Sequence, residues 1–338
     1  MQDALLNFKV GGIRMILDQY WLKSTDPKGK IYRLLGLVGA DIVPDYSLRI
    51  GDVYFNFVQY WINKEGTLTF LGVSGTGLLE SDSQFNLPSW VPNFVKISPK
   101  IGISEASYRA DVGHTEEERI IRTERSSLFI SGLAVDEISE ARKIPSIQGF
   151  CTYAWDIATE DDDVNKVAMY PTGISRLQAL FWVTVGDIDI FNEERLRLGQ
   201  PGTESFDRLL NAFTMFHTLR IEEAGPSPGR SPNLPYIDLM LEPGASEFNR
   251  NSPPMGGSDL EAYQRKFFQS TEGHWVFWTK EGYLGVSTSK IRTGDPVTVA
   301  FGYSIPLVLR KVESHFGLVG SCFILGYMDG EAFRFGKL

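Results

Sequence analysis

Apolar and polar positions change period several times along the chain, and each change marks an element. From Val53 through Phe57, Tyr60 and Trp61 the apolar residues recur at helical spacing, which predicts a helix to about Lys64 with one broad aromatic face. The break Pro44-Asp45-Tyr46-Ser47 precedes it and offers Ser47 as N-cap. Upstream, residues 5–23 and 28–38 read as two shorter helices interrupted at Asp26-Pro27, where the preset φ of proline suits a first helical position. The run TLTFLGV, 67–73, favours a strand, and in LPSWVPNF, 87–94, two prolines predict an extended path with the Trp90 ring capping a core.

Alternation in SSLFISGLAVDEIS, 126–139, predicts a strand pair, while 150–160, 174–186 and 205–222 carry helical patterns. Between Glu222 and Ser258 fall seven of the seventeen prolines, a density that no regular hydrogen-bonded ladder tolerates, so an irregular connection is expected there. Beyond it, short β-rich runs are punctuated by Glu281-Gly282, Gly294-Asp295 and Asp329-Gly330, the spacing of a small antiparallel barrel or curled sheet. The pattern predicts an α+β protein in four segments. These are an N-terminal helical unit with short strands (1–125), a strand pair with helices (126–222), the Pro/Gly-rich connection (223–258) and a β-rich C-terminal unit (259–338).

Composition narrows the partners. The chain has 338 residues, beyond the roughly 250–300 at which one core usually stops growing, so more than one packed unit is expected. Its 33 basic and 42 acidic residues leave a net charge of −9, and no basic stripe with interleaved aromatics opposes that field, which excludes nucleic acid as an expected partner. No apolar run approaches the ~18 residues of a membrane span, no secretory leader pattern opens the chain, and no Asn-x-Ser/Thr acceptor is present; a cytoplasmic location follows as expectation. Cys151 and Cys322 lie far apart and are expected to be buried and reduced.

Four blocks carry a resemblance. TDPKGKIYRLLGLV, IVPDYSLRIGDVYFNFVQYWI, LPSWVPNF and the C-terminal TKEGYLGVSTSKIRTGDPVTVAFGYSIPLVLRKV…LVGSCFILGYMDGEAF, in that order, resemble the region that follows the HET domain in fungal heterokaryon-incompatibility proteins. In that family the preceding HET domain carries the death-signalling activity; here the first block begins at Thr25, and the expectation is a stand-alone product without that effector. Free-standing relatives of this kind resemble enzymes of fungal secondary metabolism that close rings without a cofactor. The resemblance thus implies two readings. One is a cofactor-independent cyclase ordering a small apolar, terpenoid-like metabolite for intramolecular Diels-Alder cycloaddition. The alternative is a non-catalytic recognition or regulatory region that acts through protein partners, and a carrier of apolar metabolites is a third, weaker possibility.

The residues themselves supply few competing chemistries. His114, His217, His274 and His315 show no zinc-ligand spacing, so no metal is expected. TEDDDVNK, 159–166, puts Asn165 or Lys166 where a magnesium-binding Asp-Asp-x-x-Asp motif needs its third carboxylate, and reads as a solvated loop. GVSGTGLLES, 72–81, has the wrong glycine spacing for a dinucleotide fingerprint and reads as a flexible turn. A Ser-His-Asp triad has no positive signal.

Aromatic wealth remains, including Tyr54, Trp155 and Trp182, which most simply fill cores. A cycloaddition needs no obligatory proton or electron transfer. A rigid apolar pocket that holds a near-attack conformer would suffice, with one donor aimed at the dienophile carbonyl, and no cofactor is required. On that reading Tyr60, Trp61, Trp90, Trp275 and Trp278 are candidate substrate-binding residues, and His274, Arg310 and Tyr283 candidate catalytic donors, with Tyr60 a further donor. In EGHWVFW a strand would place His274, Val276 and Trp278 on one face, and an exposed strand-end histidine is the plain alternative. For Arg310 the plain alternative is a structural salt bridge.

Overall fold

The computed structural model of the chain describes residues 24–75, 85–97, 108–112, 114, 117–143, 159–160, 163–167, 169–187, 257–271 and 273–334. In chain order, helices α1 (Gly29–Tyr32), α2 (Leu35–Val38) and α3 (Ile50–Glu65) precede a 3-10 turn at Thr69–Val73. Strands β1 (Ile121–Glu124), β2 (Ser127–Ile130) and β3 (Gly132–Lys143) follow, then the hairpin β4 (Thr159–Glu160) and β5 (Asp163–Val167), and helices α4 (Arg176–Val185) and α5 (Gly257–Thr271). The C-terminal part holds β6 (Trp275–Thr279), β7 (Leu284–Ser287), β8 (Pro296–Ala300), β9 (Leu307–Val312), β10 (His315–Ser321), β11 (Phe323–Ile324) and α6 (Glu331–Arg334).

These elements form two compact units, the first from Met1–Glu137, Ser287–Cys322 and Tyr327–Leu338, the second from Ile138–Val286 and Phe323–Gly326. In the first, α3 does what its period predicts. Val53, Phe57 and Trp61 are buried together with Tyr54, Val58 and Ile62, while Asn56, Asn63 and Lys64 face solvent. Each fully buried side chain of this size contributes about 1.5–3 kcal/mol. Tyr54 and Phe57 meet Phe94 edge-on, with ring centroids 5.0 and 5.6 Å apart. The helix stops at Gly66, which takes a left-handed φ of 60° and returns its N–H to the Ile62 carbonyl.

The antiparallel order in this unit is β10-β9-β8-β3, the first half of β3 pairing with β8 from Gly132↔Ala300 to Glu137↔Pro296. Register shifts at Ala134/Asp136 and at Leu318/Gly320 bend the strands, which curls the sheet. Gly75 lies directly against the Val319 carbonyl at a φ of 127°, a close approach that only glycine permits.

In the second unit the other half of β3 pairs with β6, from Ile138↔Thr279 to Lys143↔Trp275, and β7 pairs with β11. Tyr170 inserts its hydroxyl at the end of that last ladder, accepting from Leu284 N–H at 3.0 Å and donating to the Leu325 carbonyl at 2.6 Å. Helix α4 opens on a capping box between Ser175 and Gln178, closes on Gly186, and buries residues Ala179 to Val185 on every side. Its Thr184 hydroxyl meets the Tyr263 hydroxyl of α5 at 3.1 Å.

The mixed helix-and-strand class and the curled antiparallel C-terminal sheet agree with expectation; several local readings do not. TLTFLGV is a 3-10 turn, because Leu68, Phe70 and Leu71 all turn inward instead of alternating and Thr67 Oγ1 accepts the Thr69 N–H. Ser47 is not the N-cap of α3. Its N–H and hydroxyl both donate to Asp45 Oδ1 in an Asx turn, and Arg49 precedes the helix without a side-chain cap.

Residues 28–38 form two separate helical turns. The Trp90 segment is a turn closed by Val91 N–H on the Pro88 carbonyl, although the ring is buried against the core as expected. The strands in 126–139 exist but pair with β1, β6 and β8 instead of with each other. The acidic run contains strand residues Thr159–Glu160 and Asp163–Val167, not a plain loop. Helix α5 begins inside the expected connection and was not predicted. The helix expected at 150–160 ends instead in strand β4, whose Thr159 and Glu160 pair with β5; its earlier residues, the helices expected at 5–23 and 205–222, and the rest of the connection lie outside the described residues.

Candidate functional site

The eight candidate side chains divide evenly between the units: Tyr60, Trp61, Trp90 and Arg310 in the first, His274, Trp275, Trp278 and Tyr283 in the second. Arg310 is engaged in the fold. Its Nε donates to Asp295 Oδ1 at 2.9 Å, its Nη2 to Asp295 Oδ2 at 2.6 Å and to the Lys290 carbonyl at 3.2 Å. The structural salt bridge, its plain alternative, is what the geometry shows.

On α3, Tyr60 and Trp61 meet edge-on at 5.3 Å and both lie under the Lys64 ammonium, which also donates to the Tyr60 hydroxyl at 3.0 Å. That bond keeps the Lys64 ammonium charged to higher pH than an ordinary lysine. The Tyr60 hydroxyl also accepts from Asp41 N–H at 3.0 Å, so its polar tip ties a loop to the helix. Trp61 is fully buried.

In the second unit Tyr283 and Trp278 come together around Tyr170, at 5.8 and 6.5 Å, and the Arg176 guanidinium sits 5.5 Å from the Trp278 ring. Tyr283 is buried, and its N–H donates to Thr279 Oγ1 in the turn after β6. His274 is buried ahead of β6, not an exposed strand end, and Trp275 is half-buried opposite Lys143.

A cleft of about 690 Å³ opens in the first unit beside the start of α3, and none of the eight candidates lines it. Phe55 and Phe85 form apolar wall, and Lys28, Arg49, Asn86 and Arg125 stand around it. Arg125 comes from the two-residue link between β1 and β2 and holds a left-handed φ of 52°; Asn86 on the other side holds 48°. Trp90, one of the candidates, stands behind this wall. Its ring meets Phe55 at 5.5 Å and its Nε1 donates to the Ser126 carbonyl at 2.9 Å, which fixes the hairpin tip that carries Arg125.

Arg49 reaches Asp52 at 2.9 Å in a solvent-exposed pair, and Lys28 Nζ donates to the Tyr46 carbonyl at 2.6 Å. Three cations and one carboxylate line the cleft, and the Asp26 and Asp45 carboxylates stand beside Lys28. Beneath it Tyr54 donates to the Pro27 carbonyl at 3.0 Å, and burial, helped by Asp26, pushes its phenol well above the ordinary tyrosine value. Sequence reasoning missed the cleft because its walls come from positions nearly a hundred residues apart. The Arg125-Ser126 link between two alternating runs was the one local signal available.

Comparison with known proteins supplies a family context. The Het-6 beta-barrel domain matches residues 155–335, just over half of the chain. Heterokaryon incompatibility protein 6, OR allele, of Neurospora crassa is 23% identical over 342 positions, an alignment covering 91% of this chain and 49% of the relative. The chain therefore spans about half the length of the curated relative it matches. No solved structure matches it significantly.

Proposed function

Because the chain belongs to the Het-6 β-barrel domain family, we propose that it serves as a recognition or regulatory region of a fungal heterokaryon-incompatibility protein, acting through protein partners. The similarity to the Neurospora incompatibility protein supports this reading, since it runs along nearly the whole chain instead of stopping at one block. One structural observation carries it further. Two of the four candidate donors are engaged in holding the fold, Arg310 on Asp295 and Tyr60 on Asp41 and Lys64.

The cycloaddition reading stays open to experiment but gains no specific support. Of its eight residues, Trp61, Trp90 and Tyr283 are buried in packing and Arg310 is held by Asp295. Among the described residues no helix is long and apolar enough to cross a membrane.

The decisive experiment pairs a cellular with a chemical measurement. Exchanging this chain between strains that differ at its locus should change whether fused hyphae survive. Purified chain should leave the rate and product ratio of a linked diene-plus-enal substrate unchanged without added metal or nucleotide. Unaltered fusion outcomes together with an accelerated cyclisation would overturn the proposal.

A further inference from the structure

We propose that the cleft beside α3 binds an acidic segment of a protein partner, with an aromatic or aliphatic residue of that segment seated between Phe55 and Phe85. The inference rests on the recognition reading and names the chemistry of its partner. Charge is the first argument. On a chain of net charge −9, Lys28, Arg49 and Arg125 reach one cleft from three separate segments, with Asp52 in its lining and Asp26 and Asp45 beside Lys28. None of the three is committed to a strong internal pair. Arg49 and Asp52 are 87% and 43% exposed, so their attraction is weak and readily exchanged for a partner's carboxylate. The Lys28 ammonium uses one donor on the Tyr46 carbonyl and keeps two. Among the described residues no hydrogen bond or ion pair engages Arg125.

Backbone conformation is the second argument. Among the described residues four that are not glycine hold a left-handed φ, and two of them, Asn86 and Arg125, line this cleft. Asparagine tolerates that region, but arginine does not favour it, and a two-residue hairpin link ordinarily takes Asn or Gly there. Among the described residues no partner compensates the choice of arginine, and residues kept in such conformations gather at ligand clamps.

Shape is the third. The cleft mixes exposed Arg49 and Arg125 with half-buried Phe55 and Phe85, a pairing of polar and aromatic surface common in protein interfaces, whereas sites for small metabolites are mostly apolar and enclose most of their ligand. Three cations are too few to hold a phosphate backbone against the negative field of the whole chain.

The test is fluorescence anisotropy on the full chain at about 0.15 M salt, where charges more than ~8 Å away are largely screened, with labelled Asp-Phe-Asp-Glu-Leu-Asp and its counterpart in which every acid is lysine. The acidic peptide should bind at least about tenfold more tightly. Lys28→Glu and Arg125→Glu should each weaken it by about tenfold. Lys311→Glu, an exposed residue of β9 that does not line the cleft, should change it less than about twofold. Arg125→Gly guards against misfolding as the cause. It relieves the left-handed backbone, so the melting temperature should stay or rise while binding falls.

Equal binding of both peptides, or equal weakening by Lys311→Glu, would overturn the proposal, as would full binding by Arg125→Gly. A chain that fails here yet still controls survival of fused hyphae would remove the cleft and keep the recognition reading.

Discussion

Arg310 on β9 and Asp295 at the entry to β8 clamp the loop between Lys290 and Pro296 from both sides. Each carboxylate oxygen of Asp295 takes one guanidinium N–H, and Oδ2 also accepts the Arg292 N–H at 2.8 Å. Asp295 is nearly fully buried and Arg310 a quarter exposed. Removing either partner strands the other with its charge desolvated, about 3–5 kcal/mol for a fully enclosed pair and about 2–3 kcal/mol with Arg310 partly wetted. Arg310→Met and Asp295→Ala should both lower the urea midpoint by amounts in that range. The double variant should lose less than the sum, because one interaction is counted twice. Independent, additive losses would show the two residues to be uncoupled.

Tyr170 tests whether a side chain can stand in for a ladder bond. Its buried hydroxyl serves the Leu284 N–H and the Leu325 carbonyl at once, and Phe at this position would keep the ring packing while leaving both backbone groups unsatisfied. Tyr170→Phe should cost about 1–3 kcal/mol. Amide exchange should locate the loss, with Leu284 becoming fast while α3 in the other unit keeps its protection. Uniform acceleration everywhere would mean that the bond has no local role.

Two glycines give opposite expectations for one substitution. A Cβ on Gly36 in α2 meets nothing within 4 Å, so Gly36→Ala should stabilise by about 0.4–1 kcal/mol through the unfolded chain. A Cβ on Gly51, in the first turn of α3, runs into the Phe85 carbonyl and approaches Leu87. Gly51→Ala must displace that wall of the cleft and should destabilise by about 1–3 kcal/mol. Paired thermal melts decide it; the same sign for both would refute the packing argument.

What could be read from the sequence was what is local. Helix α3 was legible because Val53, Phe57 and Trp61 repeat at the helical period. The β6–β7 turn was legible because Gly282 sits where the chain needs a φ of 82°. Helix α5 has Leu260, Tyr263 and Phe267 at helical spacing, yet its low overall apolarity and the neighbouring proline-rich stretch masked it. The partners of β3 were invisible for another reason. They lie more than a hundred residues away, and alternation says that a strand has a buried face without saying what pairs with its edges. The same holds for the site. Arg310 could be read as donor or salt bridge until Asp295 was seen beside it, and the cleft depends on Arg125 and Phe85 meeting in space.

Burial raises the Tyr54 phenol above its ordinary value of 10.0 and the Cys322 thiol above 9.0, both by disfavouring the anion in the core. A raised folded-state value means that the native chain keeps protons which the unfolded chain gives up. The contribution is complete below the unfolded values and declines as pH rises through them. Stability should therefore begin to fall near pH 9 as unfolded Cys322 ionises, and more steeply past pH 10 as Tyr54 joins, each group adding up to about 1.4 kcal/mol per pH unit. Urea midpoints measured from pH 8 to 11 should trace that curve, and Cys322→Ser should flatten its first part. In the folded protein the thiol should resist a disulfide reagent, because Cys322 is fully enclosed. Midpoints unchanged through pH 10.5, or rapid labelling of the native thiol, would show that these two groups are not shielded by the core.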